Sequence, residues 1–161
     1  MDEGRRGWAG KGEAPDGPVA AGFDTTPGDD PAPAASDARV RQGGCLCGAV
    51  RYEARGEPRV VGLCHCADCR KATGGFAMPY ADWPLGALSL SGQLSTFNGR
   101  SFCPTCGSRV LHLNPHHVEV ILGTLDEAPF DLRPTREGWT IRRQAWQAPI
   151  PGAEQWERDP G

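Results

Sequence analysis

The seven cysteines of this 161-residue chain are the residues best spaced for chemistry, and they fall into three short clusters. These are Cys45 and Cys47, then Cys64, Cys66 and Cys69, then Cys103 and Cys106. An odd count, in a sequence without an apolar secretion signal, argues against a disulfide framework. A redox dithiol needs one Cys-x-x-Cys pair and leaves the other cysteines unexplained. The spacing therefore predicts an intracellular zinc-binding domain.

The first and last clusters predict a closed structural zinc site. In Cys103-Pro104-Thr105-Cys106-Gly107 a turn brings two thiolates to one ion, and the glycine permits the left-handed backbone that such a turn needs. In an extended segment residues i and i+2 face the same side, so Cys45 and Cys47 can bind together. Four thiolates complete a tetrahedron and would tie the first strand to the distant turn.

The middle cluster predicts a second zinc with an open coordination position. Cys64 and Cys66 face one side of an extended segment, a turn returns Cys69 to them, and His65 points away. Three protein ligands and an open fourth position are typical of a catalytic zinc. Two alternatives stay open. Either a histidine closes the site (His112, His116 or His117), or Cys64 and Cys66 join the first pair and leave Cys69 beside the last.

The remaining sequence predicts a mainly β domain after an unstructured tail. Residues 1–40 are rich in Gly, Pro and Ala and hold few large apolar side chains, so we expect them to be disordered. From Gly43 onward, alternating and β-branched runs predict strands within 49–54, 59–65, 76–83, 87–92, 109–113 and 118–125. One short helix is expected at Ala67–Thr73.

Composition excludes several classes of partner. With 17 Lys+Arg against 20 Asp+Glu, the formal net charge is −3, which gives neither the basic excess of a nucleic-acid-binding protein nor a polybasic membrane patch. No apolar run reaches the ~18 residues that span a bilayer. We therefore expect a cytoplasmic protein that binds neither nucleic acid nor membrane. The sequence carries no indication of oligomeric state.

Three motifs, in order, resemble the glutathione-dependent formaldehyde-activating enzyme family, which includes centromere protein V. They are GGCLCGAVRYEA (43–54), CHCADCRKATGGF (64–76) and FCPTCGSRV (102–110). The resemblance implies an Mss4-like (β-tent) mainly β zinc fold over residues 41–156. It also implies two zinc ions per chain, a structural one on Cys45, Cys47, Cys103 and Cys106 and a catalytic one on Cys64, Cys66 and Cys69.

The activity that the resemblance implies is that of a carbon–sulfur lyase, which condenses formaldehyde with glutathione or reverses this step. The expected partners are a small thiol such as glutathione and a small aldehyde. Arg70 and Lys71 could contact the carboxylates of an anionic tripeptide, or they could offset the zinc–thiolate charge or face solvent. Arg100 and Arg109 flank the last cluster, and for them too both roles stay open: contact with substrate carboxylates, or an offset of the zinc–thiolate charge or exposure to solvent. The alternative function is a non-catalytic, zinc-stabilised protein-interaction module.

Overall fold

The computed structural model describes residues 38–159 and, upstream, the backbone of Gly17–Val19. The described strands are β1 (Gly17–Val19), β2 (Val40–Gly44), β3 (Arg51–Arg55), β4 (Val60–Cys64), β5 (Met78–Pro84), β6 (Leu88–Ser91), β7 (Leu94–Phe97), β8 (Arg100–Phe102), β9 (Arg109–Leu113), β10 (His117–Ile121), β11 (Arg136–Gly138) and β12 (Glu154–Gln155). The helix α1 spans Ala67–Thr73, and short 3-10 turns occupy Leu85–Ala87, Leu122–Thr124 and Thr140–Arg142.

These strands form a large and a small sheet. The large sheet has the order β1-β7-β8-β9-β10-β5-β4-β11-β12, and the small sheet has the order β2-β3-β6. Neighbouring strands are antiparallel, except that β11 runs parallel to both β4 and β12. The C-terminal part of the chain thus returns to lie beside β4, the strand that ends in Cys64.

The main core joins side chains of both sheets. In β3 the residues alternate, with Tyr52 and Ala54 buried and the residues between them more exposed. They pack in one cluster with Trp83 and Leu111 of the large sheet. The indole of Trp83 is fully buried, and its N–H donates to the carbonyl of Gly56 at 3.1 Å. The one polar group of this side chain is therefore hydrogen-bonded within the core.

Two glycines have conformational roles that bear on the site. Asn98 and Gly99 both have positive φ, 48° and 72°, and make the tight turn between β7 and β8. Gly62 in β4 lies directly beneath the ring of Tyr80, its Cα partner in β5. A Cβ added at Gly62 would lie 2.5 Å from Tyr80 Cζ, so only glycine admits the ring there.

The structure confirms the predicted mainly β class and the helix at Ala67–Thr73. Each predicted strand segment overlaps one strand, namely β3, β4, β5, β6, β9 or β10. The strands that the patterns miss are β1, β2, β7, β8, β11 and β12, of two to five residues each. The predicted tail, residues 1–40, lies outside the described residues except for its last three residues and Gly17–Val19, whose backbone pairs with β7. No helix in the described part is long and apolar enough to cross a membrane.

Candidate metal centres and a buried polar face

Four sulfur atoms from two distant parts of the chain meet in one group. The Sγ atoms of Cys45, Cys47, Cys103 and Cys106 all lie within 4.8 Å of one another. Cys47 Sγ lies 3.5 Å from Cys45 Sγ and 3.7 Å from Cys103 Sγ. A tetrahedral zinc with Zn–S bonds of about 2.3 Å separates its ligand sulfurs by about 3.8 Å. The four-cysteine group therefore fits a closed metal site with little rearrangement.

The turn at the end of this group is set by local hydrogen bonds. The Gly107 N–H donates to the Cys103 carbonyl at 2.8 Å, and Gly107 has a φ of 75°. The Leu46 N–H donates to Ser108 Oγ at 3.1 Å, which links the first cysteine loop to the turn. The hydrogen bond between Ser108 Oγ and Cys106 Sγ, at 3.2 Å, lowers the pKa of Cys106 to about 5. It thereby favours the thiolate, which is the form that binds metal.

The three middle thiols lie together where β4 passes into α1. Cys64 ends β4, and Cys66 is the N-cap of α1, with its Sγ accepting the Cys69 N–H at 3.3 Å. The three Sγ atoms lie within 4.8 Å of one another, and all three residues are buried. Hydrogen bonds from Cys64 and Cys69 lower the pKa of Cys66 to about 2, while the same contacts raise the pKa of the other two. In the absence of metal, the group is thus one thiolate, Cys66, that accepts hydrogen bonds from two thiols. A metal ion that binds here would displace the protons of Cys64 and Cys69.

The described chain supplies three ligands to this three-cysteine group. Among residues 38–159, no His, Asp or Glu adds a ligand atom within the same distance of all three sulfurs. Of the histidines considered as closing ligands, His112 and His117 face carboxylates elsewhere on the sheet, and His116 is exposed. The alternative in which the middle cluster is divided between the other two pairs is wrong.

Glu137 anchors the loop that carries the three cysteines. Its buried carboxylate accepts hydrogen bonds from His65 Nε2 at 2.8 Å, from Gln155 Nε2 at 3.1 Å and from the Ile150 N–H. Burial alone would raise the pKa of Glu137, but these hydrogen bonds outweigh it and the pKa is lowered. Because His65 stands between two of the cysteines, this contact from β11 fixes the direction of the loop.

A row of titratable side chains crosses the large sheet beside the three-cysteine group. Arg100, His112, Glu119 and Asp82 are successive Cα partners on β8, β9, β10 and β5. Glu119 is 1% exposed, and neither of its carboxylate oxygens accepts a hydrogen bond. The basic side chains near it are Arg109, with Nη2 at 4.0 Å, and His112, with Nδ1 at 3.7 Å; burial lowers the pKa of His112 to about 3, so its imidazole is neutral near pH 7. Burial raises the pKa of Glu119 to about 8, and the charge of Asp82 acts in the same direction.

The glutathione-dependent formaldehyde-activating enzyme family matches the chain over residues 40–142. The chain belongs to this family. Among solved structures, the crystal structure of a Rhodobacter sphaeroides protein is similar, at 24% sequence identity, with 71% of this chain and 98% of that one covered and a TM-score of 0.44. Comparison with curated proteins gave no significant match.

In this formaldehyde-activating-enzyme domain, the residues predicted to contact substrate lie in the last turn of α1. Arg70 is half-buried there, and its Nε is buried without a hydrogen bond, whereas Lys71 is exposed. Phe76 follows the helix and is 62% exposed. It forms an edge-to-face pair with Trp146, which is also exposed, with ring centroids 4.9 Å apart.

Glu119 is the residue of the polar face that the sequence patterns miss. In the strand His117–Ile121 it resembles the solvent-facing residue of an alternating strand, yet Val118, Glu119 and Val120 are all buried. The outer face is covered in part by α1, which reaches the row through Asp68 Oδ2, 3.5 Å from Arg100 Nη2. No local pattern marks a covered strand of this kind, because the covering helix lies elsewhere in the chain.

Proposed function

We propose that this protein is a zinc-dependent carbon–sulfur lyase of the formaldehyde-activating type. It would form or break a hydroxymethyl–thiol adduct between a thiol such as glutathione and a small aldehyde. The observation that carries the proposal is the difference between the two cysteine groups. One offers four sulfurs, whereas the other offers three buried sulfurs and no further ligand among the described residues. A structural zinc takes four protein ligands, and a catalytic zinc keeps one position for substrate.

Two zinc ions per chain follow from this proposal. The four-cysteine group (Cys45, Cys47, Cys103 and Cys106) would hold the structural ion, and the three-cysteine group (Cys64, Cys66 and Cys69) the catalytic one. Thiolates are soft ligands and select zinc over magnesium or calcium. The catalytic ion would supply a binding position that favours the thiolate form of a substrate thiol, whose free pKa is about 8.5.

The protein around the three-cysteine group would orient the substrate and exclude water. Met78, Tyr80, Ile121 and Trp139 pack with the three cysteines in an apolar cluster separate from the main core. Such surroundings strengthen every charge interaction of the reacting sulfur. Arg70 and Lys71 are proposed to bind the carboxylates of an anionic thiol. The buried Nε of Arg70, which makes no hydrogen bond within the protein, supports this role.

Calorimetric titration of the zinc-loaded protein with glutathione tests the proposal. We expect one binding event per chain, and no binding of S-methylglutathione, which carries the same charges but no thiol. In cobalt-substituted protein the visible spectrum should change when the thiol joins the metal. Arg70→Ala should weaken glutathione binding by about tenfold, whereas Arg55→Ala, at an exposed arginine on β3, should not. Absence of both heat and spectral change with glutathione would refute the proposal.

The second candidate function is a non-catalytic, zinc-stabilised protein-interaction module. The exposed aromatic pair of Phe76 and Trp146 favours it, because exposed apolar groups mark contact surfaces. Metal analysis separates the two candidates. Two zinc ions per chain, one of them removed by mild chelation together with glutathione binding, support the lyase. A single, tightly held zinc supports the module.

We further propose a cytoplasmic location and domain boundaries at residues 41–156. None of the seven cysteines forms a disulfide, and unpaired cysteines persist in reducing compartments. The boundaries enclose every cysteine and also β11 and β12, which support the three-cysteine loop. Limited proteolysis of the full chain should leave a stable fragment close to these limits.

A further inference from the structure

Arg109 and Glu119 form a buried ion pair whose polar atoms make no hydrogen bonds. Nε, Nη1 and Nη2 of Arg109 and both carboxylate oxygens of Glu119 are buried without a hydrogen-bond partner. The two side chains are 7% and 1% exposed. Each buried polar group left unpaired costs about 1–3 kcal/mol, more when charged. Such a pair is therefore expected where a ligand supplies the missing hydrogen bonds.

The pair lies on the side of the sheet that carries the three-cysteine group. Ile121 and Tyr80, Cα partners on β10 and β5, pack directly with the three cysteines. Glu119 and Asp82 are the Cα partners two residues further along the same strands, so they share that face. The thiols of Cys69 and Cys66 also act on the pKa of Arg109. Burial lowers that pKa, and the negative charges of Glu119 and of the Cys66 thiolate oppose the effect.

We propose that Arg109 and Glu119 form a subsite for the oxygen atom of the aldehyde, in which Glu119 carries a proton between the substrate thiol and that oxygen. This inference rests on the proposed lyase function and extends it to two residues outside the cysteine clusters. A carbonyl oxygen accepts hydrogen bonds from a guanidinium, and a hydroxyl oxygen can also donate one to a carboxylate. One small oxygen-bearing group can thus satisfy atoms of both side chains.

The proton movement balances without a further reactant. The thiol S–H gives its proton to the Glu119 carboxylate, and the sulfur then bonds to the carbonyl carbon. The π electron pair of the C=O bond moves to oxygen, where Arg109 donates N–H groups to the developing negative charge. Glu119 returns the proton to that oxygen and becomes a carboxylate again. The reverse sequence of the same transfers breaks the carbon–sulfur bond.

The surroundings of Glu119 suit a group that both accepts and donates a proton. Its pKa, raised to about 8 first by burial and then by Asp82, leaves both protonation states populated near neutral pH. The charged and titratable groups that face it are Asp82 on β5, Arg109 and His112 on β9, Arg100 on β8 and the thiol of Cys66. All of these are retained in the substitution Glu119→Gln, which changes only the titrating group.

The first test does not depend on turnover. In zinc-loaded protein labelled with ¹³C at the glutamate side chains, one carboxyl resonance should titrate with a midpoint near pH 8. It should be missing in Glu119→Gln and present in the matched control Glu127→Gln, which alters an exposed glutamate. A wild-type spectrum in which every glutamate titrates near its ordinary pKa of about 4.3 overturns the inference. This measurement on wild-type protein holds even if a variant folds poorly.

The second test separates binding from chemistry. Exchange NMR between free formaldehyde and its glutathione adduct gives kcat/KM, which should rise through an apparent pKa near 8 in the wild type. In Glu119→Gln we expect a fall of about 10²–10⁴-fold and loss of that acid limb, with the glutathione Kd changed by less than about threefold. Arg109→Lys should lose rate as well, because a lysine has one donor nitrogen in place of three.

The possible outcomes distinguish this inference from the function on which it rests. A wild type that does not bind glutathione overturns the proposed lyase function and, with it, the role of Glu119. A wild type that binds glutathione and turns over, beside a Glu119→Gln variant of near-normal rate, overturns only the inference. Full metal content in the variant and in Glu127→Gln must accompany either comparison.

Discussion

Replacing Gly62 by alanine tests whether the ring of Tyr80 positions the three-cysteine group. Tyr80 is 4% exposed, and its ring packs in the apolar cluster that contains Cys64, Cys66 and Cys69. The new Cβ would lie 2.5 Å from Tyr80 Cζ and 2.6 Å from its hydroxyl oxygen. Carbon atoms in favourable contact are about 3.5–4.0 Å apart, so the ring would have to move by about 1 Å.

The expected cost follows from this displacement. Overpacking a well-filled core destabilises a protein by about 1–3 kcal/mol, while the loss of unfolded-state freedom on changing glycine to alanine returns about 0.4–1 kcal/mol. We therefore expect a net loss of about 1–2 kcal/mol, or a Tm about 4–10 °C lower. The displaced hydroxyl would also lose the hydrogen bond that it accepts from Arg136 Nε at 3.3 Å.

Differential scanning calorimetry of metal-loaded protein measures the change. Gly123→Ala is the matched control, because a Cβ there meets nothing within 4 Å. Its Tm should stay level or rise slightly. The affinity of the three-cysteine group for metal should fall in Gly62→Ala alone. A Gly62→Ala variant as stable as Gly123→Ala would show that the ring is free to move and that the packing argument is wrong.

Three further predictions concern the metal groups and the buried charges. Cys103→Ser should remove one zinc and lower the Tm strongly, because structural zinc supplies folding free energy, whereas Cys69→Ser should remove the other zinc with a smaller change in Tm. For Glu119, the folded-state pKa near 8 exceeds the unfolded value of about 4.5. The folded carboxyl therefore holds its proton more tightly, and wild-type stability falls relative to Glu119→Gln as pH rises. The difference should grow by about 2 kcal/mol between pH 6 and pH 8 in urea denaturation, and a constant difference would contradict it. Glu137→Ala leaves His65 Nε2 unpaired and should destabilise the protein by about 2–4 kcal/mol. The amide hydrogen of Ile150 should then exchange faster with solvent. Unchanged protection of that amide would show that Glu137 does not anchor the loop.

The sequence predicted the cysteine groups well because their geometry is local. Residues i and i+2 of an extended segment face one side, so the Cys45–Cys47 and Cys64–Cys66 pairs could be read from spacing. The helix that begins after Cys66 could be read in the same way. Spacing does not determine which distant clusters come together, and in the structure Cys45 and Cys47 lie beside Cys103 and Cys106.

The buried charges were beyond such patterns because their surroundings are not local. The sequence shows Arg109 only as a neighbour of the last cluster, and it gives no sign that Glu119 is buried. Their burial depends on the order β9-β10-β5 in the sheet and on the helix that reaches across it. The strands β11 and β12 are too short to show a period, and the parallel pairing of β11 with β4 joins segments far apart in the chain.

The interleaving of the two cysteine groups sets an order of events during synthesis on the ribosome. Cys64, Cys66 and Cys69 leave the exit tunnel together, so all three ligands of their group are available at once. The four-cysteine group cannot assemble until Cys103, which follows Cys47 by 56 residues, has also emerged. Glu137, the anchor of the early segment, emerges later still. A nascent chain thus exposes a metal-binding segment well before the residues that hold it in place exist. A truncated product that ends before β11 would keep all seven thiols but lack that anchor, so it would compete for metal without forming a finished site.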